Sequence, residues 1–147
     1  MSDAPVFERV AREAAHRIGC SLFTATAFDA DALQVQRVWS SDPAAYPVGG
    51  RKAKRDTEFG RRVLLAGELM VTEGDAAIAR IFDDHAVILG LGLHSAINAP
   101  VVRDGRCLGV LNFLMRAAQV RADQVSAAAA FAGDPAVAEA LRARMAH

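Results

Sequence analysis

Two long apolar runs, "HSAINAPVV" (94–102) and "CLGVLNFLM" (107–115), are joined by "RDGR", and no other stretch limits the possible folds as much. Asp104 and Gly105 form the kind of pair that a two-residue hairpin turn needs, because both central positions take positive φ. The second run is apolar in both alternating phases, so its strand is expected to be covered on both faces. This calls for an antiparallel sheet with further layers packed on it.

The remaining chain supplies those layers. Val6, Val10, Ala14 and Ile18 recur at helical spacing beside Phe7, Ala11 and Ala15. Ser2 or Asp3 can cap this helix, Pro5 suits its first turn and Gly19 ends it. Cys20 to Phe28 and "LQVQRVW" (33–39) flank a "DAD" turn as a first hairpin. After a long loop, Asp56 or Thr57 can cap a helix carrying Phe59, Val63 and Leu64, with Gly67 at its exit. "LMVT" reads as a short strand, and Asp75 opens a helix with Ile78, Ile81 and Phe82 on its apolar face. The alanine-rich tail from Asp123 is helical and restarts at "GDP" (133–135). The expected fold class is α+β, with a central antiparallel sheet of about five or six strands, helices packed on it, and a single domain over 1–147.

Charge and composition remove several function classes. Lys and Arg total 17 and Asp and Glu total 17, so there is no global field to gather nucleic acid or an anionic membrane. No apolar run approaches the roughly 18 residues of a spanning helix. The start "MSDAPVFERV" lacks a basic end followed by an apolar segment, so a cytoplasmic location is expected. Cys20 and Cys107 lie far apart in strand-like stretches and are expected to be small buried hydrophobes. His16, His85, His94 and His147 lack metal-ligand spacing, and neither a metal nor a cofactor is expected. There is no Gly-x-Ser-x-Gly elbow, and Ser95 points away from its strand neighbour His94.

Arg37 is the sharpest anomaly, since it shares the apolar phase of Leu33, Val35 and Trp39. Either a bulge shifts the phase or the side chain stretches along the surface, or else the guanidinium enters a cavity and meets a carboxylate or bound anion. Trp39, Ser40, Ser41 and Tyr46 follow with aromatic surfaces and hydroxyls that suit a small-molecule site, although Trp and Tyr also serve as core anchors. His94 and Asn98 share a phase on the second hairpin. A two-residue turn puts Asn98 on the side of Leu111 and Asn112 opposite Ile97, so the asparagines diverge unless a one-residue bulge intervenes. Gly49 and Gly50 suit a lid and lack phosphate-loop spacing, and Arg51, Lys52, Lys54 and Arg55 are expected to be largely solvated.

"HSAINAPVVRDGRCLGVLNFL" resembles the GAF family, and "SSDPAAYPVGGRK" followed by a helix resembles its short, stand-alone bacterial members. The resemblance implies a GAF/PAS-like sheet of about six strands, a dimer through the outer helices, and a loop with short helices roofing a small-molecule cavity. The Asn-Lys-Phe-Asp-Glu motif of the cyclic-nucleotide-binding group is absent. The strand that carries a cysteine in the free methionine sulfoxide reductase group holds Ser95 here.

The resulting expectation is a non-catalytic, small-molecule-binding sensor that uses Arg37, Trp39, Ser41, Tyr46, His94 and Asn98. Its ligand is anionic if Arg37 meets it, and its partner is a second copy through the first and last helices. Two alternatives stand beside it: a dimerisation module with a filled cavity, and a reductase-like enzyme using Cys107 or Cys20 as a thiolate.

Overall fold

The structure is a computed structural model that describes residues 4–145. Helix α1 (Ala4–Arg17) precedes strands β1 (Leu22–Asp29), β2 (Gln34–Ser40) and β3 (Lys52–Ala53). A π-helical turn (Gly60–Leu65), β4 (Met70–Glu73), α2 (Asp75–Ile81) and α3 (His85–Gly90) follow. Strands β5 (Ser95–Arg103) and β6 (Arg106–Met115) and helices α4 (Ala122–Ala132) and α5 (Pro135–Met145) complete the chain. The strands form a six-stranded antiparallel sheet in the order β3-β2-β1-β6-β5-β4. The α+β expectation therefore holds, with β3 and α3 as additions. The expected caps Ser2 and Asp3 lie outside the described residues.

Both faces of the sheet are covered, as the two-phase apolar pattern of β6 requires. Leu111, Phe113 and Met115 join Phe7, Val10, Phe131, Val137 and Leu141 in the core beneath α1, α4 and α5. Val110 and Leu114 point the other way, into smaller clusters with Val63, Leu64, Ile78 and Ile88. No helix among the described residues is long and apolar enough to cross a membrane.

Gly109 is needed where β6 runs beside β1, opposite Ala27. A Cβ there would lie 2.3 Å from the Thr26 carbonyl oxygen and 3.0 Å from Leu141 Cδ1. The first is a backbone contact that no side-chain adjustment can relieve.

Two bulges set which side chains face which layer. Val101 pairs with Gly109 and Val102 with Cys107, leaving Leu108 extra in β6. On the other side of the sheet, Ala25 pairs with Trp39 and Thr26 with Arg37, leaving Val38 extra in β2. The helix expected at Phe59 and Val63 forms as the π-helical turn, started by Thr57 Oγ1 accepting the Gly60 N–H at 3.0 Å.

Candidate functional site

A cavity of about 310 Å³ lies between the sheet and the loop, the π-helical turn, α2 and α3. Its floor is a polar row, Thr24 and Thr26 from β1, Asn112 from β6 and Asn98 from β5. Phe59, Phe82 and Ile88 close it from above, and Leu22 and Leu114 flank the row.

The bulge at Leu108 builds this row. With an unbroken two-residue hairpin Asn98 would pair with Leu111; the extra residue makes Asn98 pair with Asn112, so both asparagines face the cavity. Asn98 Nδ2 donates to Asn112 Oδ1 at 2.8 Å. Asn112 Nδ2 lies 3.0 Å from Thr24 Oγ1, 3.3 Å from Thr26 Oγ1 and 3.4 Å from the Thr24 carbonyl oxygen. A backbone carbonyl can only accept, so it fixes which end of the Asn112 amide faces it, and that choice fixes Asn98 in turn. Asn112 Nδ2 has two hydrogens for these three acceptors, and a threonine hydroxyl that accepts one of them keeps its own hydrogen available for donation. Asn98 is 2% exposed, and its Oδ1 is buried without a partner among the described residues.

Arg37 faces the same cavity, opposite Thr26 on the neighbouring strand. Its Nη1 donates to the Pro47 carbonyl at 3.2 Å, and its guanidinium carbon sits 4.9 Å from the Tyr46 ring centre. Arg37 Nε is buried and has no partner among the described residues. Tyr46 is itself buried, and its hydroxyl donates to Asp84 Oδ2 at 2.5 Å. Burial, and then the hydrogen bond to Asp84, push the Tyr46 phenol well above its ordinary value, so it stays protonated.

The loop that carries Tyr46 is tied down at several points. Gly49 N–H donates to the Arg37 carbonyl at 3.2 Å, and Gln36 Nε2 donates to the Gly49 carbonyl at 3.0 Å. The basic run is largely solvated, as expected, with Arg51, Lys52 and Arg55 exposed. Lys52, Lys54 and Arg55 are rim residues, Arg55 pairs with Asp83, and Arg51 Nη1 lies 3.5 Å from Asp29 Oδ2.

Arg37, Tyr46 and Asn98 are thus brought together, whereas three other expected residues lie elsewhere. The bulge at Val38 turns Trp39 to the opposite face, where its ring lies 5.8 Å from that of Phe23 in the helix-covered core. Ser41 Oγ accepts the Phe23 N–H at 2.9 Å and so anchors the loop. His94 Nδ1 lies 2.6 Å from Asp75 Oδ1, outside the cavity lining. Thr24 and Thr26 were missed by sequence reasoning, although their period-two spacing in "LFTATAF" was the available signal.

Neither cysteine lines the cavity. Burial pushes the Cys20 thiol up to about 11 and also raises that of Cys107, whose Sγ lies 3.3 Å from the Gly109 carbonyl oxygen. These are poor settings for a thiolate nucleophile.

The sequence pattern of the GAF domain matches residues 4–138. No curated protein matches the chain. Among solved structures, the GAF domain of a two-component sensor histidine kinase from Bacillus halodurans superposes with a TM-score of 0.78 at 11% identity, covering 100% of this chain and 99% of that one. The GAF-B domain of DevS from Mycobacterium smegmatis gives 0.65 at 20% identity, over 99% and 96% of the two chains. The free methionine-R-sulfoxide reductase from Neisseria meningitidis, solved with its substrate, gives 0.64 at 19% identity, over 95% and 78%. At these identities the likeness concerns the fold.

Proposed function

Because the chain belongs to the GAF domain family, we propose that it is a small-molecule-binding sensor module without catalytic chemistry of its own. The observation that carries this reading is a cavity of about 310 Å³ with an apolar roof and a polar floor, whose lining includes Arg37, without a carboxylate partner among the described residues, and Asn98. Small-ligand sites combine an apolar enclosure with a few placed polar groups in this way, at volumes of roughly 300–1,000 Å³. The filled-cavity alternative is disfavoured by that open volume, and the thiolate alternative by the burial of both thiols away from it.

In this reading the occupant holds the loop against the sheet through the Arg37–Tyr46 contact, and loop order is the signal. Helices α1 and α5, on the far side of the sheet, are the surface for a second copy. Native mass spectrometry of freshly purified protein tests both parts. The expected spectrum is a dimer retaining a small molecule that is lost in Arg37→Ala. A bare protein whose melting temperature no member of a broad metabolite set changes would count against the reading.

A further inference from the structure

Building on the ligand-binding reading, we infer that the ligand carries an oxyanion, a carboxylate or a phosphate, seated on Arg37 and Thr26, with an apolar body against Phe59, Phe82 and Leu114. The inference rests on which polar groups around the cavity still have hydrogen-bonding capacity.

The acceptors at the rim are already engaged. Asp84 is held by the Tyr46 hydroxyl at 2.5 Å, and Asp83 by the Arg55 guanidinium. On the floor, the amide orientation imposed by the Thr24 carbonyl turns the two hydrogens of Asn112 Nδ2 toward the threonine hydroxyls, so a hydroxyl that accepts from it keeps its own hydrogen to offer to a ligand. The one unsatisfied acceptor on the floor, Asn98 Oδ1, is sealed beneath the surface.

The donors are not engaged to the same degree. Arg37 has no carboxylate partner among the described residues, only the Pro47 carbonyl and the face of Tyr46. Lys52, which lines the mouth beside it, likewise has no acidic partner among them. Thr26 is the cross-strand partner of Arg37 on the cavity face, and such pairs have Cβ atoms about 5 Å apart. A single oxyanion can therefore accept from the Thr26 hydroxyl and the Arg37 guanidinium together, as charge-assisted bonds of the stronger kind. An ammonium group would meet four lining cations, Arg37, Lys52, Lys54 and Arg55, and two carboxylates already paired.

Four probes sharing one phenyl body separate the possibilities by calorimetry or ligand-observed NMR: hydrocinnamate, phenethyl phosphate, neutral hydrocinnamamide and cationic phenethylamine. The expected result is that the better anion binds at least about tenfold tighter than the amide and the amine. The order of the two anions then identifies the headgroup. In Arg37→Gln the advantage falls below about threefold while hydrocinnamamide binding is retained. Asn112→Asp gives the same loss by a second route, because its carboxylate draws both threonine hydroxyls to itself. The inference is overturned if neither anion binds, if the amide or amine matches them, or if the preference survives Arg37→Gln. Binding without charge preference removes the ligand class and leaves the sensor reading intact; silence from all four probes together with a bare native mass spectrum removes both.

Discussion

Asn98 and Asn112 face each other across β5 and β6, with Nδ2 of the first donating to Oδ1 of the second at 2.8 Å. Their pairing depends on Leu108, the extra residue that shifts β6 by one position and turns a polar group from each strand toward the same cavity. Asn98 sits almost entirely out of water, at 2% exposure, and Asn112 is partly buried, so the Asn98 amide depends on its partner.

Strong coupling between them follows. Asn98→Leu strands Asn112 Oδ1, and Asn112→Leu strands the Asn98 amide, each at a cost of about 1–3 kcal/mol. Removing both at once leaves fewer orphaned groups, so the double variant should cost clearly less than the sum of the singles in urea denaturation. Strict additivity would show that the two side chains act independently.

Much of the fold could be read from local signals, and the parts that could not have a common cause. The Asp104–Gly105 turn, with φ of 53° and 74°, and the stop at Gly19, with φ of 76°, are properties of single residues and their neighbours. Helix α1 and strand β6 announce themselves through periodicity over many residues. By contrast, the bulges at Leu108 and Val38 arise from fitting one strand to another, so the local pattern puts Trp39 on the wrong face and makes the asparagines converge only if a bulge intervenes. β3 is two residues of a basic loop that become a strand only by pairing with β2. The π-helical turn and α3 are too short for propensity to settle and are held by packing.

Gly109 is the position where a single methyl group should be least tolerated. Its Cβ would meet the Thr26 carbonyl at 2.3 Å, so β1 and β6 must separate to admit Gly109→Ala. A loss of about 3 kcal/mol is expected, the upper end of overpacking costs, read as a lower urea midpoint at unchanged slope. A change within about 0.5 kcal/mol, ordinary for surface sites, would contradict the close approach.

Tyr46→Phe should loosen the roof while sparing the sheet. The variant loses the 2.5 Å bond to Asp84 but keeps the ring beneath Arg37. A cost of about 1 kcal/mol is expected. Amide exchange should accelerate at 42–49 in the loop and remain slow in β1 and β6. Uniform acceleration throughout the sheet would mean that the phenol supports global stability and not the loop.

Thiol chemistry offers a check on the non-catalytic reading. With Cys20 pushed up to about 11 by burial, its alkylation rate should still be rising at pH 9, whereas an activated thiolate levels off near neutrality. A plateau near pH 7 would revive the reductase alternative.

Acid stability should report the tie between the first and last helices. Arg9 Nη2 lies 2.6 Å from Asp134 Oδ2, and Asp134 Oδ1 also accepts the Ala136 N–H at 2.9 Å at the start of α5. Arg9 first, and then this backbone bond, hold the Asp134 carboxyl below the ordinary carboxylate range. A folded-state value below the unfolded one means that the stabilisation is fully present above the unfolded value of about 4 and disappears as pH falls through the folded one. Solvent reaches both partners, at 37% and 26% exposure, which limits the effect to about 1 kcal/mol or less. Asp134→Asn keeps an oxygen for Ala136 and removes the charge. The gap between wild type and Asp134→Asn should therefore be largest at neutral pH and close below about pH 4. A gap that stays constant down to pH 2 would assign the role of Asp134 to the helix cap and not to Arg9.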